Sequence, residues 1–350
     1  MIHLICQDWL NTSGNHAGIM YLCKTLQERY PDTYHMYCAP SFLPPLDKRH
    51  KSRIGKRWDF FLASIKHKIY VKKLFKEIAH TTREGDTVFL TEYMEAMYPM
   101  LSFARKVKSN LRKVKLISMV HLVPSKLNAS YPDDIVFKQW TDCVDKIFTL
   151  GSSLTNYFIG RGVDESKMTT TFHYVDEYYM QEVHRHDDKP VRVIAMGSQM
   201  RNNKLLSKIC RENPDMNFTI CQGLTDMSQF FVGCKNVTLV PFVPECELRD
   251  MMQKSDISLN SMEDTIGSNV IVTSLAMGLA MVCSDVGSIR DYCDESNTIF
   301  CNNNDPDAFS IAIRRISLNR ELLLKMRESA AAKGKMLTID KFHHQLQSSI

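Results

Sequence analysis

The chain has 350 residues, 44% of them hydrophobic and 24% charged, so it is long enough for two domains with separate cores. Its 11 cysteines form no CxxC pair and no cysteine–histidine cluster with zinc-site spacing, which argues against a structural zinc protein and favours a reducing compartment. The net charge of +5 is uneven, because residues 1–180 hold 25 Lys and Arg against 18 Asp and Glu. The basic first half is expected to meet an anionic partner.

The first half alternates between strand-like and helix-like segments. Short apolar and β-branched runs predict strands, and longer amphipathic runs fill the positions between them. The predicted strands are 1–6, 35–39, 87–93, 115–121 and 146–151, and the predicted helices are 19–30, 99–109 and 134–145. This βα alternation with short connections predicts a parallel sheet covered by helices on both faces.

A basic segment at residues 48–77 holds 11 Lys and Arg against two acidic residues. A helical projection places an apolar stripe between these cations, made of residues 58, 61, 62, 65, 69 and 72–76. Such a helix fits an anionic membrane surface. The alternative is a helix whose apolar stripe packs inside the domain. Nucleic acid is disfavoured as the partner, because no recognised binding motif accompanies the patch.

The alternation of strand-like and helix-like segments stops at the polar stretch EVHRHDDKP, residues 182–190, which is typical of a linker. It then restarts, with predicted strands at 191–197, 217–223, 237–243, 256–261, 281–285 and 298–301, a predicted helix at 247–255, and two further helices near the C-terminus. We therefore predict two Rossmann-like α/β/α domains facing a cleft, at residues 1–180 and 181–333. Residues 334–350 are expected to form a C-terminal helix, for which a return to the first domain is considered.

The stretch DTIGSNVIVTSLAMGLAMVCSDVGSIRDYC, residues 264–293, places a glycine turn before a helix, a strand after it and a second glycine turn after the strand. The first N–H groups of a helix have no internal partner and carry partial positive charge. The small residues Gly267, Ser268 and Asn269 would let an anion such as phosphate approach them closely. The alternative is that these glycines only form the turns of one αβ unit. The residues alone favour this alternative.

The part NVIVTSLAMGLAMVCSDVGSIRD, residues 269–291, resembles the nucleotide-sugar-binding signature of GT-B glycosyltransferases, specifically glycosyltransferase family 4. Five other segments resemble family elements in the same order: SGNHAG (13–18), SMVHLVPSK (118–126), KMTTTFHYVDEYYM (167–180), VIAMGSQMRNNK (193–204) and PECELRDMMQKSDISLNS (244–261). The resemblance covers nearly the whole chain. It implies a GT-B fold with an acceptor-binding first domain and a nucleotide-sugar-binding second domain.

The resemblance also implies roles for individual residues. His121 would hydrogen-bond sugar or acceptor, and Arg201 and Lys204 would stabilise the departing diphosphate. The expected donor-binding residues are Gly14, Gly18, Gly197, Glu263, Asp264, Gly267, Ser268, Asn269, Val270 and Thr273. Glu92, at the end of a predicted strand, is a weaker candidate for contact with substrate.

At two positions where the family has a charged residue, this chain has an uncharged one. Thr273 stands where the family has the second of its paired glutamates, and Ser198 stands at its Arg position. Glu263 and Asp264 are nearby acidic substitutes for the first glutamate. A non-catalytic GT-B partner protein and a nucleotide-sugar 2-epimerase therefore stay open as alternatives.

The resemblance implies transfer of a hexose from a UDP- or GDP-sugar to a glycan or lipid-linked acceptor, with retention of configuration. Capsule, lipopolysaccharide or exopolysaccharide assembly is the expected context, at the inner face of the membrane. We expect a cytoplasmic, peripherally associated enzyme without a signal peptide or membrane span. No metal or other cofactor is expected, because cations and the helix dipole would neutralise the diphosphate.

Overall fold

The computed structural model describes residues 1–9, 14–44, 48–95, 98–183 and 190–350. The chain divides into two compact units, Met1–Thr171 with Ser349 and Phe172–Ser348 with Ile350. The predicted linker at 182–190 falls largely on residues 184–189, which lie outside the described residues. None of the helices in the described ranges combines the length and apolarity needed to cross a bilayer.

The first unit is built on one parallel sheet with the strand order β2-β1-β3-β4-β5-β6. The buried strand β1 (Ile2–Gln7) pairs with β2 (Tyr34–Ala39) on one side and β3 (Thr87–Leu90) on the other. The sheet continues through β4 (Lys115–Val120), β5 (Lys146–Thr149) and β6 (Met168–Thr170), and the helices are α1 (Ile19–Arg29), α2 (Arg53–Thr81), α3 (Leu101–Asn110), α4 (Pro124–Ser130), α5 (Asp134–Thr141) and α6 (Ser152–Gly160). The strand order reverses between β1 and β3, which is where open α/β sheets bind ligands.

Helix α2 confirms that the basic segment is helical and decides which of its faces is buried. Its buried residues are Gly55, Asp59, Ala63, His67, Val71, Leu74 and Ile78, spaced three or four apart as one helical face requires. Most of the predicted apolar stripe lies on the other side. The side chains of Trp58, Phe61 and Ile69 are 56%, 54% and 60% exposed. Apart from Leu74, which is buried, and Phe75, which is half-buried, the stripe therefore does not pack inside the unit.

The second unit repeats the architecture with the strand order β12-β11-β10-β7-β8-β9. Its strands are β7 (Arg192–Ala195), β8 (Asn217–Gly223), β9 (Val237–Pro241), β10 (Ile257–Asn260), β11 (Ala280–Ser284) and β12 (Thr298–Cys301). Its helices, including the C-terminal one, are α7 (Asn203–Glu212), α8 (Glu245–Gln253), α9 (Asn269–Ala276), α10 (Ile289–Tyr292), α11 (Pro306–Leu318), α12 (Arg320–Gly334) and α13 (Ile339–Ser349). Here the order reverses between β7 and β10.

Helix α9 is anchored against the core of the second unit. Gly334 of α12 comes so close to α9 that an added Cβ would lie 2.6 Å from the Cα of Ala276. The buried guanidinium of Arg327 donates from Nε to the Gly278 carbonyl at 2.9 Å and pairs with Asp256 at 3.3 Å. The C-terminal end of α9 is therefore fixed, and its N-terminal end lies on the loop side of the sheet.

The two predicted parallel-sheet domains are confirmed, as are most of the predicted strands. Strand β6 and helices α4 and α6 were not predicted, because each is short and weakly periodic. The predicted strand 87–93 ends at Leu90, after which Thr91 makes one further backbone bond to Ile5 at 3.1 Å. The predicted helix 134–145 ends at Thr141. The exact domain boundaries and the position of residues 334–350 stay predictions.

Candidate functional site

The glycine turn before α9 is shaped by an aromatic ring behind it. Gly267 has a φ of +93°, and a Cβ added there would lie 2.3 Å from the ring of Tyr292. The ring is buried, and its hydroxyl accepts a hydrogen bond from the backbone N–H of His173 at 2.9 Å. Only glycine fits between this ring and the turn without displacing one of them.

The first turn of α9 presents backbone donors that the described part of the chain leaves without partners. Ser268 is the N-cap, and its Oγ accepts from the N–H of Ile271 at 3.3 Å. The N–H groups of Asn269 and Val270 make no hydrogen bond to any described residue. Asn269 is exposed. An anion placed at this turn would gain two N–H donors and the positive end of the helix dipole.

The loop after β7 lies against the same turn. Gly197 has a φ of +74°, and a Cβ there would be 2.8 Å from Cγ2 of Val270. The backbone of the loop is tied to the segment after β10, because Asn202 donates to the Ser261 carbonyl and Glu263 donates to the Met200 carbonyl, both at 2.8 Å. The structure therefore brings Gly197, Glu263 and the start of α9 together at the strand-order reversal between β7 and β10.

Two cations follow Gly197, Arg201 on this loop and Lys204 at the start of α7, in different environments. The Arg201 guanidinium donates to the Cys221 carbonyl from both terminal nitrogens, at 3.1 and 3.2 Å, while its Nε is buried without a partner. Burial lowers the pKa of Arg201, and no described carboxylate pairs with it. Lys204, in the first turn of α7, is exposed. Lys204 is thus available to an anion, whereas Arg201 would have to exchange a carbonyl for it.

The acidic loop before Gly267 is fixed by the second glycine turn. A Cβ at Gly287 would lie 2.0 Å from the Thr265 carbonyl, which accepts from the N–H of Ser288 at 2.7 Å. Asp264 accepts from the N–H of Thr265 at 2.8 Å, and burial raises the pKa of the Asp264 carboxyl. The Glu263 side chain is exposed. Of the two acidic substitutes, Glu263 is the one free to meet a solvent-borne ligand.

Thr273 lies one turn into α9 and is 6% exposed. Its hydroxyl donates back to the Asn269 carbonyl at 2.6 Å, a bond that occurs within many helices. The hydroxyl donor is therefore already used, and the acceptor lone pairs of the oxygen are what it retains for a ligand.

The predicted residues of the first unit lie on two connections, one between β1 and α1 and one after β4. Gly14 is exposed, and Gly18 is the N-cap of α1, with its N–H donating to the Asn15 carbonyl at 2.9 Å. His121 follows β4 and donates from Nε2 to the Thr91 carbonyl at 2.7 Å. Burial lowers the pKa of His121 to about 4, so its imidazole is neutral at physiological pH. His121 therefore holds the loop after β3 in place.

Several residues with a place at these sites were not singled out from the sequence. Tyr292 shapes the Gly267 turn, and Glu95 and His67 face a pocket in the first unit together with Glu92. The only sequence signal for Tyr292 is its position directly after residues 269–291, the segment that resembles the nucleotide-sugar signature. No group of three or more His, Cys, Asp or Glu in the described ranges is placed to hold a metal ion.

Residues 176–319 match the family model described as Glycosyl transferases group 1. No curated protein matches the chain in sequence. Three solved structures share its fold over the whole chain: sucrose-phosphate synthase (tll1590) from Thermosynechococcus elongatus (11% identity, 100% of both chains, TM-score 0.73), Anabaena Alr3699/HepE in complex with UDP and glucose (11%, 100% of this chain and 99% of that one, 0.69), and the apo form of lipopolysaccharide outer core galactosyltransferase WaaB (13%, 100% of both, 0.67).

At these identities the structural likeness concerns the fold alone, while the family model concerns the unit that holds the α9 turn and the Gly197 loop. The matched residues include all of the segment that resembles the nucleotide-sugar signature. The chain therefore has the GT-B fold, and residues 176–319 in its second unit match the model of Glycosyl transferases group 1.

Proposed function

We propose that the protein transfers a hexose from a nucleoside-diphosphate sugar, a UDP- or GDP-sugar, to a glycan or lipid-linked acceptor. The observation that carries this proposal is the start of α9. The N–H groups of Asn269 and Val270 have no partner in the described chain, and Gly197, at the start of the segment that carries Arg201 and Lys204, lies against the Val270 side chain. This is the arrangement that a pyrophosphate requires.

The chemistry follows from what breaks in the reaction. Cleavage of the sugar–phosphate bond leaves its electron pair on the diphosphate, so catalysis needs positive charge at that oxygen. The α9 dipole, its two N–H donors and Lys204 supply such charge within the second unit. Arg201 would add to it by turning from the Cys221 carbonyl, where its two terminal nitrogens share one carbonyl oxygen and the Met227 sulfur as acceptors and its Nε has no partner.

Retention of configuration is the stereochemical part of the proposal. A two-carboxylate mechanism of the glycosidase type needs a pair of positioned acids about 5 Å apart. Around α9, Asp264 is bonded to its own turn and Glu263 is exposed. Same-face attack by the acceptor hydroxyl, with the departing phosphate taking the proton, needs no such pair and is the proposed route.

Cell-surface polysaccharide assembly is the proposed context. The galactosyltransferase WaaB acts on lipopolysaccharide outer core according to its name, and HepE has been seen with UDP and glucose. Both share the fold of this chain at low identity, so they support a UDP-hexose donor and a surface-glycan acceptor without deciding either.

Helix α2 supports an anionic membrane surface as a further partner in this function. Its outer face combines exposed apolar side chains, among them Trp58, Phe61 and Ile69, with most of the 11 cations of residues 48–77. An apolar stripe between cations inserts into the headgroup region of anionic lipid. A lipid-linked acceptor would be reached from that surface.

Liposome flotation tests the membrane partner. The protein should float with vesicles containing phosphatidylglycerol and stay behind with pure phosphatidylcholine, and the double variant Trp58→Ser, Ile69→Ser should lose flotation. Ile311→Ser is the matched control, because Ile311 is 65% exposed on α11 of the second unit. Equal flotation of the double variant and the control would contradict a role for α2.

Nucleotide binding tests the donor site. Isothermal titration with UDP and GDP should detect one of them, and Lys204→Ala should weaken it about ten-fold, the value of one charge-assisted hydrogen bond. Lys208→Ala is the control, since Lys208 lies one turn later on α7 and pairs with Glu212 instead. Normal binding by Lys204→Ala would remove Lys204 from the site, and no binding of either nucleotide by the parent protein would refute the proposal.

Turnover separates the alternatives. An active transferase should slowly hydrolyse its UDP- or GDP-sugar to free sugar and nucleotide, whereas a non-catalytic GT-B partner should bind the nucleotide and leave the donor intact. A 2-epimerase would convert the donor to its C2 epimer without an acceptor, which proton NMR of the sugar distinguishes from hydrolysis.

A further inference from the structure

Tyr292 is a buried tyrosine in the short helix α10, behind the turn at Gly267. Its side chain is 1% exposed, so phenylalanine would serve equally well for packing alone. A buried tyrosine hydroxyl costs free energy unless it has a hydrogen-bond partner. The hydroxyl of Tyr292 has such a partner in the backbone N–H of His173, which donates to it at 2.9 Å. The hydroxyl therefore makes a specific contact that the packing of the ring does not require.

On one side, Tyr292 is in close contact with the turn before α9. A Cβ at Gly267 would lie 2.3 Å from the hydroxyl oxygen and equally close to two ring carbons. The turn and α10 are tied a second time, because the N–H of Ser288 donates to the Thr265 carbonyl at 2.7 Å. In a close-packed interior, the turn that presents the anion-binding N–H groups of α9 therefore cannot shift without moving the hydroxyl.

On the other side, the hydroxyl holds the entry segment, residues 172–176, with which the second unit begins. His173 donates to Tyr292, and two residues later the N–H of Val175 donates to the Leu337 carbonyl at 2.7 Å. Both acceptors belong to the second unit. The bond to Tyr292 holds the end of the entry segment that directly follows the first unit.

One oxygen atom therefore contacts both the anion-binding turn and the entry segment. Hydrogen bonds in a folded protein open and close locally, and the fraction of time that a bond is open depends on the freedom of both partners. An anion that fixes the turn restricts the tyrosine ring and so reduces the opening of the bond to His173. By linkage, an entry segment that holds the hydroxyl in place favours the form of the turn that binds the anion.

We propose that Tyr292 is a positioning residue whose hydroxyl couples anion binding at the start of α9 to the entry segment. The identity of the anion, the diphosphate of a nucleotide sugar, rests on the proposed function. The tie between the two segments depends only on residues of the second unit and exists without a ligand.

Hydrogen exchange of the full chain without ligand is the first test, with Tyr292→Phe as the variant, because it keeps the ring and removes the acceptor. The amide of His173 should exchange about ten-fold faster, the effect of one lost hydrogen bond. Residues 265–271 should also exchange faster, while β11 should not change. Tyr93→Phe is the matched control, because Tyr93 is equally buried and its hydroxyl donates to the Trp140 carbonyl at 3.0 Å in the first unit.

Nucleotide is the second arm of the experiment. UDP, or GDP in a separate sample, should slow exchange in both residues 265–271 and the entry segment of the parent protein. In Tyr292→Phe it should slow exchange in residues 265–271 only, whereas Tyr93→Phe should behave like the parent. A general loss of stability would not produce this difference between the two segments.

Equal protection of the entry segment by nucleotide in the parent and in Tyr292→Phe would overturn the coupling, as would protection of residues 265–271 alone in the parent. Both results would leave the donor site standing. If neither nucleotide binds, the proposed function is refuted, and the exchange without ligand decides the coupling. Acceleration that is confined to the entry segment, or that is shared by β11, would then overturn it.

Discussion

Glu92 makes the stability of the first unit fall as the pH rises, and Glu92→Gln should abolish that part of the dependence. Burial raises the pKa of this carboxyl from 4.5 to about 7, although the hydrogen bonds from Trp9 and Gln7 favour its charged form. Below pH 4.5 the group is protonated in both the folded and the unfolded chain, so its titration does not change the free energy of unfolding. Between pH 4.5 and 7 only the unfolded chain releases the proton, so the free energy of unfolding decreases with pH.

The magnitude follows from the size of the shift. The pKa difference of about 2.5 corresponds to a loss of about 3 kcal/mol that is complete above pH 7. Part of this loss is already present at pH 5. We therefore expect the free energy of unfolding of Glu92→Gln relative to the parent protein to rise by about 2 kcal/mol between pH 5 and pH 8.5.

The assay is urea unfolding followed by tryptophan fluorescence at both pH values. All three tryptophans, Trp9, Trp58 and Trp140, lie in the first unit, so their emission reports that unit. Glu84→Gln provides the reference, because an exposed ion pair should change the result by less than about 0.5 kcal/mol at either pH. A parent-minus-Glu92→Gln difference that stays constant with pH would refute the reasoning.

Two further predictions concern the geometry around the sites. Gly267→Ala should destabilise the second unit by more than about 2 kcal/mol in thermal unfolding and abolish UDP binding, because its Cβ would overlap Tyr292. Gly233→Ala, with a φ of +81° and nothing within 4 Å of the added Cβ, should cost only the backbone strain of about 1 kcal/mol; equal losses in both variants would show that the ring contact does not matter. The Cε1 proton of His121 should keep a constant chemical shift from pH 5.5 to 8, since its pKa is about 4, and a resonance that titrates near pH 6.5 and disappears in His121→Asn would contradict this.

Much of the second unit could be predicted because its signals are local in sequence. Gly267, Gly278 and Gly287 all have positive φ, and each lies at a turn that the sequence predicted from that glycine. The strand β11 between the last two is fully buried, as its apolar run predicted. Local backbone conformation and periodicity depend on neighbouring residues, so the sequence carries them directly.

The state of the site residues could not be predicted in the same way. Whether Arg201 faces a ligand or a carbonyl depends on Cys221, 20 positions later, and whether His121 is charged depends on its burial beside Thr91. The pocket next to Glu95 needs α2 to fold over β1 and β3. Such contacts join segments that no local pattern connects.

The sequence by itself determined the two parallel α/β units, the glycine-bounded start of α9 and the basic helix, because backbone preference and hydrophobic period act over a few residues. Only the tertiary structure decided that the Gly197 loop rests on Val270, that Tyr292 closes behind Gly267, and that the aromatic side of α2 faces outward. The physical reason is that burial and close approach are properties of the packed chain. Helix α2 has two apolar sides, and either side could be buried. The elements that pack against the helix determine which side it is.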